Sequence, residues 1–130
     1  MSAASDYLEN KLLDHVLGGT TYTQPANIYL GLYTADTGLE ANTPSAEVSG
    51  GSYAREAVTF AAASSGSAAT NATVTFTTAT ANWGTITHVA VMDASTAGNV
   101  LFYGAVTTSK TIESGDTFQV SSGNLTISLA

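Results

Sequence analysis

His88 is the residue of this chain whose side chain is best suited to catalysis. It lies in the sequence WGTITHVAVMD, residues 83–93, within a run that alternates like a β-strand. A catalytic histidine needs a nucleophile and an orienting carboxylate within hydrogen-bond reach. Asp93 comes five residues later, on the opposite face of an ideal strand. The spacing therefore predicts a structural His88, near the core or at a subunit contact, bonded to a backbone carbonyl or a hydroxyl.

Other catalytic and metal-binding signals are missing from the sequence. It contains no cysteine, no nucleophile elbow, no glycine-rich phosphate loop and no HExxH motif. His15 falls in the last turn of a predicted helix, where the helix dipole favours it. Asp36, Glu40 and Glu47 fall in a predicted loop, where charge is ordinarily solvated, so they do not indicate a glycosidase pair. We expect no catalytic residue, no cofactor, no metal site and no enzymatic activity.

Arg55 and the aromatic residues are the best candidates for specific contacts. Arg55 and Glu56 point to opposite sides of a predicted strand, so Arg55 should meet a carboxylate elsewhere in the chain or on a neighbouring subunit. The aromatic residues either form a platform that stacks on sugars or fill the core or a subunit interface, and we favour the second interpretation. Tyr29 and Tyr33 belong to this aromatic set. The candidate interface or glycan contacts are Arg55, Tyr53, Trp83, His88 and Tyr103.

The charge composition excludes several classes of partner. Lys11, Arg55 and Lys110 are the only basic residues against ten acidic ones, and the net charge is −7. Without a cationic surface to neutralise phosphates, we expect no binding to nucleic acid or to an anionic membrane. Only 10% of the residues are charged, whereas a typical soluble domain has about a quarter. This composition favours a rigid β-rich protein that is packed in an assembly.

The N-terminal segment has the pattern of one helix, over residues 5–17. Ser5 or Asp6 can cap it, with Asp6 and Glu9 as a possible capping box, and apolar residues recur every four positions after Leu8. Glycines follow at positions 18 and 19, where a helix commonly ends. The sequence has neither a secretory signal pattern nor an apolar run of about 18 residues. We expect a soluble chain without a signal peptide.

From residue 27 onwards the apolar period changes from four to two. Seven or eight short runs of β-branched and aromatic residues alternate with polar turns, and no second helical pattern occurs. This predicts a mainly β, antiparallel, jelly-roll-like sandwich over residues 27–130, in a single domain of 1–130 with one N-terminal helix. Residues 35–52 have no pattern of their own and predict a long surface loop. Residues 61–72 are of low complexity and predict a flexible connection.

Several stretches resemble a family of short virion proteins of tailed bacteriophages, usually labelled tail fibre proteins. The resemblance is carried by LDHVLGGTTYT at residues 13–23, by GGSYAR at 50–55 and by WGTITH at 83–88 followed by Asp93, and it extends over nearly the whole chain. It implies a non-enzymatic β-rich component of the particle, with no catalytic residues to carry over. It also implies assembly in the host bacterial cytoplasm and location in the virion.

Three functions from different classes remain open. We favour a capsid decoration, or cement, protein, because 130 residues hold a complete domain but leave no room for a long fibre shaft. A tail fibre or baseplate component involved in host adsorption is the alternative, and a small hydrolase is a distant third. Strands that are apolar on both faces and have few charges at their edges favour pairing between copies. We therefore expect a homotrimer that contacts virion proteins such as the major capsid protein or tail proteins.

Overall fold

The computed structural model describes residues 3–129, which form a mainly β structure with one helix. The helix α1 covers Asp6–Val16. The strands, in chain order, are β1 (Ala3–Ala4), β2 (Ile28–Tyr33), β3 (Glu56–Val58), β4 (Ser67–Ala69), β5 (Val74–Thr75), β6 (Gly84–Met92), β7 (Val100–Ile112), β8 (Gln119–Val120) and β9 (Thr126–Ser128).

A five-stranded antiparallel sheet in the order β1-β7-β6-β2-β3 forms the centre of the fold. Strands β2 and β6 lie in its middle, and the register pairs Leu30 with Val91 and Leu32 with Val89. These four side chains are buried on one face, as their alternation with the neighbouring residues requires. The predicted antiparallel sandwich with one N-terminal helix is confirmed.

Two hydrophobic clusters lie on the two faces of this sheet. The larger one lies between the sheet and a second layer made of the antiparallel pairs β4-β9 and β5-β8, and it includes Leu30, Phe76 and Ile86. The smaller one lies under the segment that follows β2 and contains Tyr33, Leu39, Ala90, Met92 and Val100. Apolar clusters thus lie on both faces of the central strands, with His88 half-buried on the face of the smaller one.

The helix α1 packs one side against the larger cluster and leaves the other side uncovered. The hydroxyl of Ser5 accepts a hydrogen bond from the amide of Leu8, 3.3 Å away, so Ser5 is the cap of the two that the sequence predicted. The predicted capping box of Asp6 and Glu9 does not form, because the third residue of the helix is Leu8. Leu8 is buried, whereas Leu13, Val16 and Leu17 are 56%, 72% and 78% exposed. In the part of the chain that is described, the one helix is too short to cross a bilayer.

The structure differs from the sequence predictions in segments without an apolar pattern. Residues 61–72 are not simply a flexible connection, because they include β4, which pairs with β9. Small residues such as Ala68 and Ala69 carry little periodic signal, so only the partner strand makes this segment a strand. Strand β7 continues to Ile112, beyond the apolar run that predicted it, through a stretch of threonines. Strand β1 was not predicted at all.

The segment 35–52 is a structured loop that continues the sheet. The amide of Thr34 donates to the carbonyl of Ala46, and the amide of Val48 donates to the carbonyl of Leu32, each at 3.0 Å. Residues 46–48 therefore lie beside β2 past Leu30, the residue opposite Glu56 at the start of β3. Leu39 from the same segment is fully buried in the smaller cluster. Because segment 35–52 is mostly polar, its sequence has no apolar period from which these contacts could be predicted.

Candidate functional site

A two-point ion pair between Arg55 and Glu47 is the most specific polar contact in the described residues. Arg55 Nε lies 2.7 Å from Glu47 Oε2, and Nη2 lies 2.8 Å from Oε1. Arg55 Nη1 also donates to the carbonyl oxygens of Ala94 and Ala97, at 2.8 and 2.7 Å. The side chain of Arg55 is only 6% exposed, and that of Glu47 is 25% exposed. One guanidinium thus joins the loop 35–52, the start of β3 and the turn between β6 and β7.

The alternation of the strand predicted a carboxylate partner for Arg55 elsewhere in the chain or on another subunit. The structure places that carboxylate within the chain, at Glu47. The hydrogen bonds to Glu47, which outweigh the desolvation of the guanidinium, raise the pKa of Arg55. Because the planar guanidinium matches the carboxylate at two points, lysine could not replace it. We call the contacts of Arg55, Glu47 and Tyr53 the clamp.

Tyr53 completes the clamp from the side of the core. Its hydroxyl donates to Glu47 Oε2 at 2.7 Å and accepts from the amide of Leu32 at 3.0 Å. It therefore supplies β2 with a hydrogen-bond partner where β3 is absent. Burial, followed by the hydrogen bond to Glu47, raises the pKa of Tyr53 far above its ordinary value. Burial and the nearby charge of Glu47 also raise the pKa of Tyr33 to about 12.

Trp83 and Tyr53 fill the core rather than the surface. Their rings meet edge to face with centroids 5.4 Å apart, and Tyr53 also stacks on Phe76 at 6.3 Å. Trp83 is 5% exposed, and its Nε1 donates to the carbonyl of Gly51 at 2.9 Å. Tyr33 is fully buried. The five aromatic candidates are therefore not gathered on one exposed surface, and contact of any of them with a glycan or a subunit stays a prediction.

His88 lies on the sheet face opposite the larger cluster, between Tyr33 of β2 and Ala105 of β7. It is half-buried, and its Nδ1 is 2.8 Å from the hydroxyl of Thr87. Among residues 3–129 no carboxylate forms a hydrogen bond with this imidazole. No carboxylate orients the imidazole of His88, so the described residues do not form a hydrogen-bonded triad of nucleophile, histidine and carboxylate around it.

Tyr103 lies in a different place, beside three carboxylates at the start of α1. Its hydroxyl donates to Glu40, and carboxylate oxygens of Asp6, Glu9 and Glu40 lie within 4.8 Å of one another. Desolvation, and then the hydrogen bond and charge of Asp6, raise the pKa of Glu40. All three acids are exposed. The sequence pattern gives no sign of this group, because the contact joins the helix to a loop that had no predicted position.

A comparison with protein-family models identifies the relatives of the chain. The model described as podophage GP4 fiber I protein gp80 matches residues 3–128. The chain belongs to this family. The matched range covers every described strand and the helix, so the match extends over the whole fold of this chain and not one segment of it.

Membership of the podophage fiber I family makes the chain a structural component of a short-tailed bacteriophage particle. This agrees with the resemblance drawn from the helix end, the GGSYAR turn and the WGTITH strand. A search among proteins of curated function finds no match to the chain. Within the GGSYAR turn, the carbonyl of Gly51 accepts the hydrogen bond from Trp83 Nε1. Tyr53 and Arg55 of the same turn are two members of the clamp.

Proposed function

We propose that the chain is a non-enzymatic structural subunit of a bacteriophage tail fibre, located in the virion. The observation that carries the proposal is the match of the podophage fiber I family over residues 3–128. The family is named for a fibre protein, and fibres of tailed phages make the first contact with the host. The subunit therefore takes part in host adsorption, directly or by holding an adsorbing protein in place.

The geometry of the candidate residues supports a structural role. The clamp uses its charged groups to hold two loops on the sheet, which leaves neither Arg55 nor Glu47 free to bind a substrate. His88 has a hydroxyl neighbour and no carboxylate. Among the described residues, every buried side-chain nitrogen and oxygen has a hydrogen-bond partner. A fully satisfied interior is what a rigid scaffold requires.

The surface supports a subunit that is packed against others. Four large apolar side chains of the described residues are more than half exposed, and three of them lie together at the end of α1: Leu13, Val16 and Leu17. Exposed apolar patches of this kind mark interaction surfaces in soluble proteins. We propose that the subunit forms a homotrimer, contacts other virion proteins such as tail proteins, binds no nucleic acid or membrane, and assembles in the host bacterial cytoplasm.

A capsid decoration protein is the second candidate, and the major capsid protein would then be its partner. It is favoured by the absence of any repeated, shaft-like segment from residues 3–129, which form two packed layers instead. A decoration protein stabilises the head, whereas a fibre subunit acts at adsorption. Phage particles that lack this protein should therefore lose head stability if it is a decoration protein, and adsorption if it is a fibre subunit.

An adsorption experiment separates the two candidates. Phage particles are produced with and without this protein, and both adsorption to host cells and survival of the heads on heating are measured. A fibre subunit predicts slower adsorption with unchanged head survival. Unchanged adsorption together with heads that lose their DNA on heating would contradict the fibre proposal and favour decoration.

A further inference from the structure

A groove of about 410 Å³ is open beside α1, and its lining is almost wholly apolar. Its lining residues come from α1, from β4 and β9 of the second layer and from the central strands β6 and β7. Leu8 and Leu12 of α1 belong to this lining, together with Ile127 and Leu129 at the end of the chain. None of the described residues that line the groove is charged. Such a surface binds apolar groups and discriminates against charged ones.

The exposed apolar residues of α1 lie next to this groove. Leu8, Leu12 and Val16 are four residues apart and share one side of the helix, so the stripe that lines the groove continues into Val16. Val16 is 72% exposed, and Leu13 and Leu17 beside it are also mostly exposed. We call Leu13, Val16 and Leu17 the ridge. The groove and the ridge therefore form one continuous apolar surface.

The ridge has the spacing and the size that the groove requires. Amphipathic helices dock in apolar grooves through residues three and four positions apart, which is the spacing of Leu13, Val16 and Leu17. An apolar cavity of about 150 Å³ accommodates one benzene molecule, so about 410 Å³ has room for roughly two or three side chains of that size. The ridge cannot enter the groove of its own chain, because Leu8 and Leu12 of the same helix already line it.

The chain exposes more surface than a typical monomer of its mass. A folded monomer of 13.2 kDa exposes about 6,400 Å². This chain exposes 7011 Å², which is about 600 Å² more than that typical value. In a standard interface each partner contributes roughly 800 Å². The excess is thus of the size that one interface between copies would cover.

We propose that copies of this protein associate head to tail, with the ridge of one copy seated in the groove of the next. A second copy is the occupant because it presents an uncharged helix surface with the spacing and the size that the groove accepts. Contacts between two different surfaces of the same chain close into a ring when the rotation permits it. Three copies in such a ring give the homotrimer proposed above, on which this inference rests. Because α1 carries the ridge and part of the groove, three α1 helices surround the axis of the ring.

Two substitutions each remove one surface and leave the other intact. Val16→Lys places an ammonium in the middle of the ridge. Lysine is a better helix former than valine and is favoured near a helix C-terminus, so α1 is kept. Ala63→Phe, at an exposed position of the groove lining, fills part of the groove with a phenyl group of the same chain.

The molar mass of the full chain in solution is measured against concentration for both variants. Each substitution is expected to raise the dissociation constant between copies roughly tenfold or more. Ser114→Lys and Ala62→Phe are the matched controls, because they introduce the same side chains at exposed positions outside both surfaces. Both controls should associate like the wild-type chain. Leu17→Lys, at a residue 78% exposed, replaces Val16→Lys if that variant does not fold.

A mixture of the two variants tests the direction of the contact. The Val16→Lys chain keeps its groove and the Ala63→Phe chain keeps its ridge, so one contact can form between them but a ring cannot close. We expect the mixture to contain particles of twice the mass of one chain, at concentrations where each variant alone is monomeric. A mixture that stays monomeric contradicts the head-to-tail contact.

The results separate failure of this contact from failure of self-association. A wild-type chain that stays monomeric at high concentration contradicts both the contact and the homotrimer. An oligomer that Val16→Lys and Ala63→Phe leave intact contradicts only the contact. If these two variants form that oligomer but are missing from phage particles, the groove receives another virion protein and not a second copy. A wild-type dimer that both substitutions dissociate supports the contact and contradicts the trimer.

Discussion

Replacing Glu47 by glutamine tests how much the clamp contributes to stability. The change keeps the shape of the side chain and removes its charge, so Arg55 keeps only the carbonyls of Ala94 and Ala97 as strong acceptors. Removing one partner of a buried ion pair costs about 3–5 kcal/mol. Because Glu47 is 25% exposed, water screens part of the lost attraction, and we expect the free energy of unfolding to fall by about 2–3 kcal/mol.

The loss can be followed with the one tryptophan of the chain. Trp83 is buried against Tyr53, so its emission reports unfolding close to the clamp. For 130 residues the usual entropy of unfolding makes 1 kcal/mol equivalent to about 4 °C in Tm, so we expect a fall of about 8–12 °C. Glu113→Gln, at an exposed carboxylate, is the control and should change the free energy by no more than about 0.5 kcal/mol. A Glu47→Gln variant as stable as this control would refute the reasoning.

Three further predictions follow from the core around the clamp. Gly51→Ala should lower the free energy of unfolding by about 1–3 kcal/mol more than Gly50→Ala. Both glycines have positive φ, but a Cβ at Gly51 would lie 2.8 Å from Trp83 Nε1 whereas Gly50 faces open space; equal losses in chemical denaturation would contradict this. Tyr53→Phe should cost about 1–3 kcal/mol in thermal unfolding, since a β2 amide and Glu47 both lose a partner; a loss below that range would mean water replaces the hydroxyl. Finally, the pKa of Tyr33, about 12, lies above the ordinary value near 10, so its contribution to stability is complete below pH 10 and is lost as the pH rises towards 12. Phenolate absorbance and circular dichroism should change together there, and ionisation of all six tyrosines before unfolding would contradict the burial.

The sequence predicted those elements whose own side chains alternate. The apolar period of four placed α1 within one residue of each end, and the period of two predicted a strand within residues 83–93, where β6 lies. Such periods arise because one side of each element is buried. Strand β4 and the end of β7 were missed, since small residues and threonines become strands there only through their partners. Local pattern cannot report a partner that lies far along the chain.

The candidate residues show the same limit. The side of the strand on which Arg55 lies followed from alternation, but its partner Glu47 lay in a loop without any pattern. Trp83 and Tyr53 were candidates for either a surface platform or the core, and only their packing places them in the core. The carboxylates of Asp6, Glu9 and Glu40 meet because two unrelated segments dock, which no spacing rule could predict.

The most direct test of the central claim is immunogold electron microscopy of intact phage particles with an antibody raised against this chain. A structural subunit of the tail fibre predicts gold label on the particle and confined to the tail. Label spread over the head would contradict the fibre assignment and support decoration. Particles without any label would contradict the claim that this chain is a structural component of the virion.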